Sequence, residues 1–279
     1  MSMTATPWDS IAGPTKEPQS SLMTITPEMA QRWLDASNDH NRPLSMAYCE
    51  RLARDIREGN WKTTHEGIAF SSHGRLLDGQ HRLKAITLAK VSVEMFVWFG
   101  VSPEALMAIN NGRPRNLVDS LSLSGAVGDI DFSDVAILRS MLGGMGRAPT
   151  LTPAEAAAAY HKHKDAIEFA KVYLPRRSGV TSVATSDIRA VIARAYYSVD
   201  LDRLAAFCQV LCCGLPTSAA DRPAVLLFSH LVRHPGNTEM ARQDRYARAQ
   251  RALAAYLRDE NLGRLAPVSS ELFPLPEEK

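Results

Sequence analysis

Residues 74–84 read GRLLDGQHRLK, and this stretch decides how the first part of the chain folds. Leu76 and Leu77 have the apolar character of a buried strand. The next five residues are an acid, a glycine, an amide, a histidine and an arginine, which is more polar chemistry than a strand end needs. Gly79 predicts a tight turn, and the residues that follow it have helical spacing. The stretch therefore predicts a strand, a turn and a helix, with binding groups at the junction.

The flanking residues extend this pattern into a small sheet. Residues 67–70 and 75–77 are short apolar runs separated by a turn at 71–74, which predicts a hairpin. Residues 80–89 predict a helix. Residues 91–99 are rich in branched and aromatic side chains, which predicts a third strand.

Two helices are predicted before the hairpin. Thr26, Pro27 and Glu28 combine a hydroxyl N-cap, an early proline and an acid, which is typical of a helix start. A second helix is predicted over residues 45–58 from the helical spacing of its apolar side chains. Together with the hairpin they predict a compact α+β unit.

The chain is expected to contain two folded regions. Residues 1–22 are rich in Pro, Ser and Thr and predict a flexible N-terminal arm. Residues 23–125 form the α+β domain, and residues 130–265 show only helical periods, which predicts an all-helical domain. Residues 266–279 predict a flexible tail.

Composition narrows the class of protein. The chain has 279 residues, 45% hydrophobic and 22% charged, with a formal net charge of +2, values that are typical of globular proteins. The mildly basic balance, with a pI of about 8.4, permits an anionic partner without requiring one. No apolar run is long enough to span a membrane, and the N-terminus lacks the features of a secretory signal, so a cytoplasmic location is expected.

Cysteines and histidines do not predict a metal site. The four cysteines are Cys49, Cys208, Cys212 and Cys213. Cys208, Cys212 and Cys213 lie in the apolar stretch LAAFCQVLCCGL, which favours buried reduced thiols rather than zinc ligands, and Cys49 belongs to the apolar stripe of the second predicted helix. His161 and His163 lie among lysines and predict a solvated basic patch. His230 and His234 have a spacing that suits a metal, but no Glu or Asp between or after them is expected to complete a site.

A basic stripe is predicted on the last long helix. It consists of Arg242, Arg245, Arg248, Arg251 and Arg258. Two interpretations stay open, a solvated helix face and a surface that contacts nucleic acid.

The junction after Leu77 has the residue types of an anion site. The first amides of a helix have no intrahelical partners, so they can bind an anion. His81 and Arg82 add donors beside them, and Arg82 can contact a phosphate with two nitrogens. Asp78 suits a cation, a ligand hydroxyl or a proton in transfer. The structural alternative is that Asp78 caps the helix and pairs with Arg82 four residues later.

These residues resemble the ParB/sulfiredoxin superfamily, in the branch that carries a DGQHR motif. The resemblance covers residues 22–125 and is greatest to ParB-like proteins of phages, prophages and other mobile elements. It implies a ParB/sulfiredoxin-like fold for the first domain. Members of the superfamily include CTP-dependent DNA clamps, sulfiredoxins, a free-serine kinase and plasmid-encoded ATPase/DNases.

The resemblance also implies roles for individual residues. Phosphate contacts are implied for Gly79, Gln80, His81 and Arg82. Catalytic roles are implied for Asp78, Glu66 and His81, with Asp78 close to a metal ion. For Glu66, an exposed acid at a strand edge is the alternative. Arg113 and Arg115 are implied to clamp phosphate or the DNA backbone.

Two departures from the family pattern matter. Sulfiredoxins need a reactive cysteine directly before the His-Arg pair, and Gln80 occupies that place. Cys49, on a predicted amphipathic helix, cannot replace it, so peroxiredoxin repair is excluded. Relatives often carry an acid where this chain has Asn110 or Asn111, which removes a group used for metal-dependent cleavage but spares nucleotide binding.

Three functions are consistent with these features. The first is an enzyme that binds ATP or CTP with Mg²⁺ and hydrolyses it or transfers its phosphate, with nuclease activity left open, in a DNA-associated role. The second is a non-catalytic DNA-binding regulator that responds to nucleotide. The third is a small-molecule kinase. The expected partners are a nucleotide and DNA, with no membrane, and a homodimer is compatible with the sequence.

Overall fold

The structure, a computed structural model, describes residues 18–38, 41–107, 116–124, 127–176 and 181–276. The chain divides into two compact units, Met1–Arg115 and Asn116–Lys279. The sequence had placed the boundary between residues 125 and 130. It lies earlier because a helix at Leu117–Ser124 contributes Val118 and Leu121 to the hydrophobic core of the second unit.

The described part of the first unit contains a four-stranded sheet and three α-helices. The strands are β1 (Gln19–Ile25), β2 (Ile68–Ser71), β3 (Leu76–Asp78) and β4 (Val93–Val101). The helices are α1 (Pro27–Ser37), α2 (Met46–Arg57) and α3 (Gln80–Ala89). The strand order is β1-β4-β2-β3, with β4 antiparallel to β1 and parallel to β2, and β3 antiparallel to β2.

The core of the first unit lies on one face of this sheet. Side chains alternate along β4, so that Met95 and Val97 are buried while Glu94 and Trp98 are exposed, as the two-residue period of a strand requires. Helix α3 packs against α1 and α2 and adds Leu83 and other apolar side chains to the same core. The helix packing and the β2–β3 hairpin bring the end of β3 and the start of α2 close to the first turn of α3.

Most of the predicted elements of the first unit are confirmed. The β2–β3 hairpin, α3 and β4 form where expected, and Thr26 caps α1 by accepting a hydrogen bond from the backbone N–H of Met29. The predicted N-terminal arm, residues 1–22, is too long, because residues 19–22 belong to β1. This strand has little apolar periodicity, and its order comes from pairing with β4, for example Ser21 with Val97. Residues 1–17 lie outside the described residues.

All regular secondary structure in the described part of the second unit is helical. Its helices are α4 (Leu117–Ser124), α5 (Phe132–Gly143), α6 (Pro153–Tyr173), α7 (Ser186–Ala195), α8 (Leu201–Cys213), α9 (Arg222–Arg233) and α10 (Glu239–Leu257). Among the described residues, no strand follows β4. The α+β class is therefore confirmed, and the finer ParB/sulfiredoxin-like assignment stays a prediction. No helix in the described ranges combines the length and apolar character needed to cross a bilayer.

The flexible tail predicted for residues 266–279 is wrong for its described part, which ends at residue 276. Phe273 and Leu275 are buried in the core of the second unit. The buried guanidinium of Arg194 donates to the carbonyl of Phe273 at 2.8 Å and pairs with Glu271 at 3.4 Å. The backbone N–H of Leu272 donates to the side chain of Gln250 at 2.7 Å. The sequence alone suggested disorder because the partners of this segment lie far away along the chain.

Most arginines of the predicted stripe on α10 form ion pairs with carboxylates of the second unit. Arg245 is buried and pairs with Asp187 at 2.7 Å. Arg248 pairs with Asp244, and Arg251 forms a two-nitrogen pair with the carboxylate of Glu260. These three guanidinium groups stabilise the fold, whereas Arg242 donates to the backbone carbonyl of Asn237 at 3.3 Å.

Candidate functional site

The turn between β3 and α3 needs a glycine. Gly79 is the N-cap residue of α3 and has a φ of +99°, a left-handed conformation that favours glycine. A Cβ atom there would lie 2.5 Å from Cδ1 of Ile68 and 3.2 Å from the carbonyl oxygen of Gly67. Because glycine has no side chain, α3 has no side-chain cap at its first amides. The positive end of the helix dipole is therefore not offset by an N-cap side chain.

Two carboxylates meet one guanidinium beside this helix start. Arg82 donates to Glu66 from Nη2 at 2.9 Å and to the carbonyl of Gly67 from Nη1 at 2.7 Å. The same Nη1 lies 3.5 Å from Oδ2 of Asp78. The other oxygen of Asp78 accepts from the backbone N–H of Gly79 at 2.7 Å. The structure thus brings together Glu66, Asp78 and Arg82. The sequence placed Asp78 and Arg82 near each other, but it did not show that Glu66 contacts Arg82.

The structural alternative for Asp78 is present in part. The ion pair between Asp78 and Arg82, four residues apart, does form. Asp78 is not the N-cap residue, however, because Gly79 takes that place. The carboxylate is about one-third exposed and that of Glu66 is largely exposed, so both are accessible to a ligand.

Gln80 faces the connection between α1 and α2. Its side chain is buried; its Nε2 donates to the carbonyl of Arg42 at 2.9 Å, and its Oε1 accepts from Nδ2 of Asn38 at 3.3 Å. Asn41 in the same connection donates to the carbonyl of Leu76 at 2.8 Å. The side chain of Gln80 therefore holds this connection in place, and only its backbone N–H remains for the implied phosphate contact.

His81 is buried against the start of α2. Its Nε2 accepts from the backbone N–H of Ser45 at 3.1 Å, so the neutral ring carries its proton on Nδ1. The ring meets that of Tyr48 edge to face, with 5.4 Å between centroids. Burial lowers the pKa of His81, and the nearby charge of Arg42 lowers it further. The implied catalytic role of His81 stays a prediction, with a neutral imidazole as its starting state.

Some site residues were missed, and others lie outside the described residues. Ser45 and Tyr48 escaped notice because their partner, His81, is more than thirty residues away in the sequence. No local pattern marks such a contact. Arg113 and Arg115, which the resemblance implied as phosphate or DNA clamps, fall in the range 108–115 that the structure does not describe.

The expectations for metal and thiol chemistry have mixed outcomes. Within the described ranges, no group of three or more His, Cys, Asp and Glu side chains is arranged to hold a metal ion. Cys49 and Cys208 are buried thiols as expected, and burial raises the pKa of Cys208 well above its ordinary value. Cys213 is exposed, which the apolar surroundings in the sequence did not predict.

The two histidine pairs also differ from expectation. His163 is buried rather than solvated and bonds to the hydroxyl of Tyr197 through Nδ1 at 2.8 Å. His230 has an acidic neighbour after all, because Oδ2 of Asp244 on α10 lies 3.0 Å from its Nε2. Burial is the main cause that lowers the pKa of both histidines.

The site is therefore a cluster of two carboxylates, one guanidinium and one neutral imidazole around the start of α3. An added cation can take the place of Arg82 beside the two carboxylates, and an added anion can take the place of the carboxylates beside Arg82. Both exchanges are favourable because the groups are already arranged to pair with an opposite charge. No protein-family model, curated protein or solved structure matches this chain.

Proposed function

We propose that the chain binds a nucleoside triphosphate, ATP or CTP, at the start of α3 and hydrolyses it or transfers its phosphate. The DGQHR resemblance supports a DNA-associated role of the phage or mobile-element type. One observation carries the proposal: Glu66 and Asp78 both contact the guanidinium of Arg82, directly beside a helix start that lacks a side-chain cap.

The phosphates are held by backbone and side-chain donors. The first-turn amides of α3 have no intrahelical acceptor, and the helix dipole favours an anion there. Arg82 contributes charged donors once its contacts with the two carboxylates are shared with the ligand. Gly79 allows the start of α3 to pack closely against β2, because a Cβ atom there would clash with Ile68.

Mg²⁺ fits the acidic part of the same site. Magnesium bound with nucleotides uses one or two protein carboxylates together with phosphate oxygens and water. Asp78 and Glu66 supply two such carboxylates within reach of one guanidinium. Asp78 holds the ion in this proposal, with Glu66 beside it, and the ion supplies charge neutralisation at the phosphates.

A second candidate is a non-catalytic regulator that binds nucleotide and DNA. It is favoured by the number of contacts that already engage the groups proposed for catalysis. Arg82 contacts both carboxylates, and Nε2 of His81 accepts a hydrogen bond from Ser45. In this alternative the nucleotide rearranges these contacts without being consumed.

One experiment distinguishes the two candidates. ATP, GTP and CTP are tested for binding by calorimetry and for hydrolysis, with and without Mg²⁺ and DNA, on the wild type and on Asp78→Asn. The amide can still accept from Gly79, so the melting temperature should change little. Turnover should fall by at least about a hundredfold, because the amide neither binds magnesium well nor takes a proton. Asp202→Asn, an exposed site on α8, is the matched control.

The outcomes are separable. Nucleotide affinity without metal should stay level or increase in Asp78→Asn, because a negative charge beside the phosphates has been removed. Full turnover in this variant would exclude the catalytic role of Asp78. Binding without turnover by the wild type would favour the regulator. A wild type that binds none of the three nucleotides would overturn both candidates.

A further inference from the structure

Tyr48 is an exposed aromatic side chain next to the candidate site. It lies in the first turn of α2 and is 40% exposed, although two neighbours hold its ring. The imidazole of His81 contacts it edge to face, with an interplanar angle of 70°. The guanidinium carbon of Arg51 lies over the ring, 4.9 Å from its centroid. The ring is thus oriented by neighbours and still accessible to a ligand.

His81 connects this ring to the start of α3. The residue lies in the first turn of α3, where the proposed phosphates bind, and its Nε2 accepts from Ser45, the N-cap residue of α2. Tyr48 follows within the first turn of α2. The two helix starts are therefore tied together, and the aromatic ring is held close to the phosphate site. Preorganisation of this kind reduces the entropy lost on binding.

The charges around Tyr48 suit a nucleotide. Arg51 adds a cation at one face of the ring, and Arg42, an exposed residue of the α1–α2 connection, lies close enough to His81 to affect its pKa. An exposed aromatic ring that contacts one arginine, with a second arginine near the adjacent His81, is an arrangement that can stack with nucleobases, while the cations attract the phosphates.

We propose that the exposed part of the Tyr48 ring stacks with the base of the nucleotide whose phosphates bind at the start of α3. This inference rests on the proposed nucleotide binding at that helix start. Every base has an aromatic face, so stacking on Tyr48 distinguishes a nucleotide from a phosphate chain without a base, but discriminates only weakly among bases. The ring thereby contributes affinity, and base identity is left to other contacts.

The test compares ligands with and without a base. Calorimetry measures the affinities of ATP, GTP, CTP and inorganic tripolyphosphate for the wild type, Tyr48→Leu and Tyr48→Phe. Leucine keeps apolar contact with His81 but cannot stack, so nucleotide affinity should fall about 5- to 100-fold. Affinity for tripolyphosphate should be the same in all three proteins. Phenylalanine keeps the ring and should bind nucleotides as the wild type does.

Controls separate stacking from damage to the fold. Phe132→Leu removes an aromatic side chain that is 67% exposed in the second unit, and it should change none of the affinities. Melting temperatures establish that the Tyr48 variants are folded. An equal loss of affinity for nucleotides and tripolyphosphate in Tyr48→Leu would overturn stacking and assign Tyr48 a role in shaping the phosphate site.

The remaining outcomes are also decisive. Nucleotide binding that Tyr48→Leu leaves unchanged would overturn this inference alone and leave the proposed function intact. If the wild type binds none of the nucleotides, the proposed function and this inference both fail.

Discussion

The imidazole of His81 accepts a hydrogen bond from the backbone N–H of Ser45, with 3.1 Å between Nε2 and the nitrogen. This contact joins the first turn of α3 to the residue that begins α2. It requires an unprotonated Nε2, because a protonated ring nitrogen is a donor. The link between the two helix starts is therefore sensitive to protonation of a single side chain.

Acidic pH should lower the free energy of unfolding of the first unit, because protonation of His81 removes its hydrogen bond with Ser45. Burial lowers its folded pKa below the ordinary value of 6.5, so the unfolded chain binds the proton first. The stabilising contribution is complete above about pH 6.5 and is lost as the pH falls from there towards the folded pKa. In His81→Gln an uncharged amide oxygen accepts from Ser45, so the free energy of unfolding should decrease less between pH 7 and 5.

Urea unfolding followed by tryptophan fluorescence measures this effect, because all four tryptophans precede residue 116. Arg42, Asp78 and Arg82, the charged neighbours of His81, are the same in the wild type and in the variant. His73→Gln, at an exposed position in the β2–β3 turn, is the control and should keep the wild-type slope. An unchanged slope in His81→Gln would contradict the prediction.

Gly79→Ala should destabilise the first unit. The left-handed conformation and the contact with Cδ1 of Ile68 each disfavour a Cβ atom. Strain and overpacking each cost at least about 1 kcal/mol, so a loss of at least about 2 kcal/mol is expected. Gly59→Ala is the matched control, since Gly59 has a φ of +73° but nothing within 4 Å of its Cβ position. Equal losses in the two variants would show that crowding at Gly79 is unimportant.

Removal of one member of the buried ion pair between Arg245 and Asp187 should destabilise the second unit more than removal of both. Arg245→Met leaves the buried carboxylate without its cation and should cost about 3–5 kcal/mol of unfolding free energy. Arg242→Met, on the exposed side of α10, should cost less than about 0.5 kcal/mol. Urea unfolding is measured by circular dichroism at 222 nm. The double variant Asp187→Leu/Arg245→Met should be more stable than Arg245→Met, and a further loss would contradict the argument.

Removal of the C-terminal segment should destabilise the second unit. A chain that ends at Ser270 lacks Glu271 and Phe273, so buried Arg194 loses two of its partners and the core loses a phenyl ring. The expected loss is at least about 3 kcal/mol, the lower end for either change. A chain that ends at Pro276 keeps these contacts and should unfold in urea like the wild type. Equal stability of the two shortened chains would mean that the segment only covers the surface.

The sequence alone determined the elements whose signals are local. The β2–β3 hairpin, the turn at Gly79 and the course of α3 follow from side-chain periodicity and from a turn that only glycine accommodates easily, within about a dozen residues. The motif residues that meet at this turn were found for the same reason. The polar side chains at the strand end were recognised as a candidate site because they follow one another in the chain.

Only the tertiary structure decided what those side chains contact. Arg82 meets Glu66 because the hairpin folds back, and His81 meets Ser45 because α2 packs beside α3. Strand β1 and the C-terminal segment have weak patterns of their own, and they become ordered by pairing with β4 and by bonding to Arg194. The physical reason is common to all four: hydrogen bonds and burial stabilise contacts between distant residues, and only the packed fold brings those residues together.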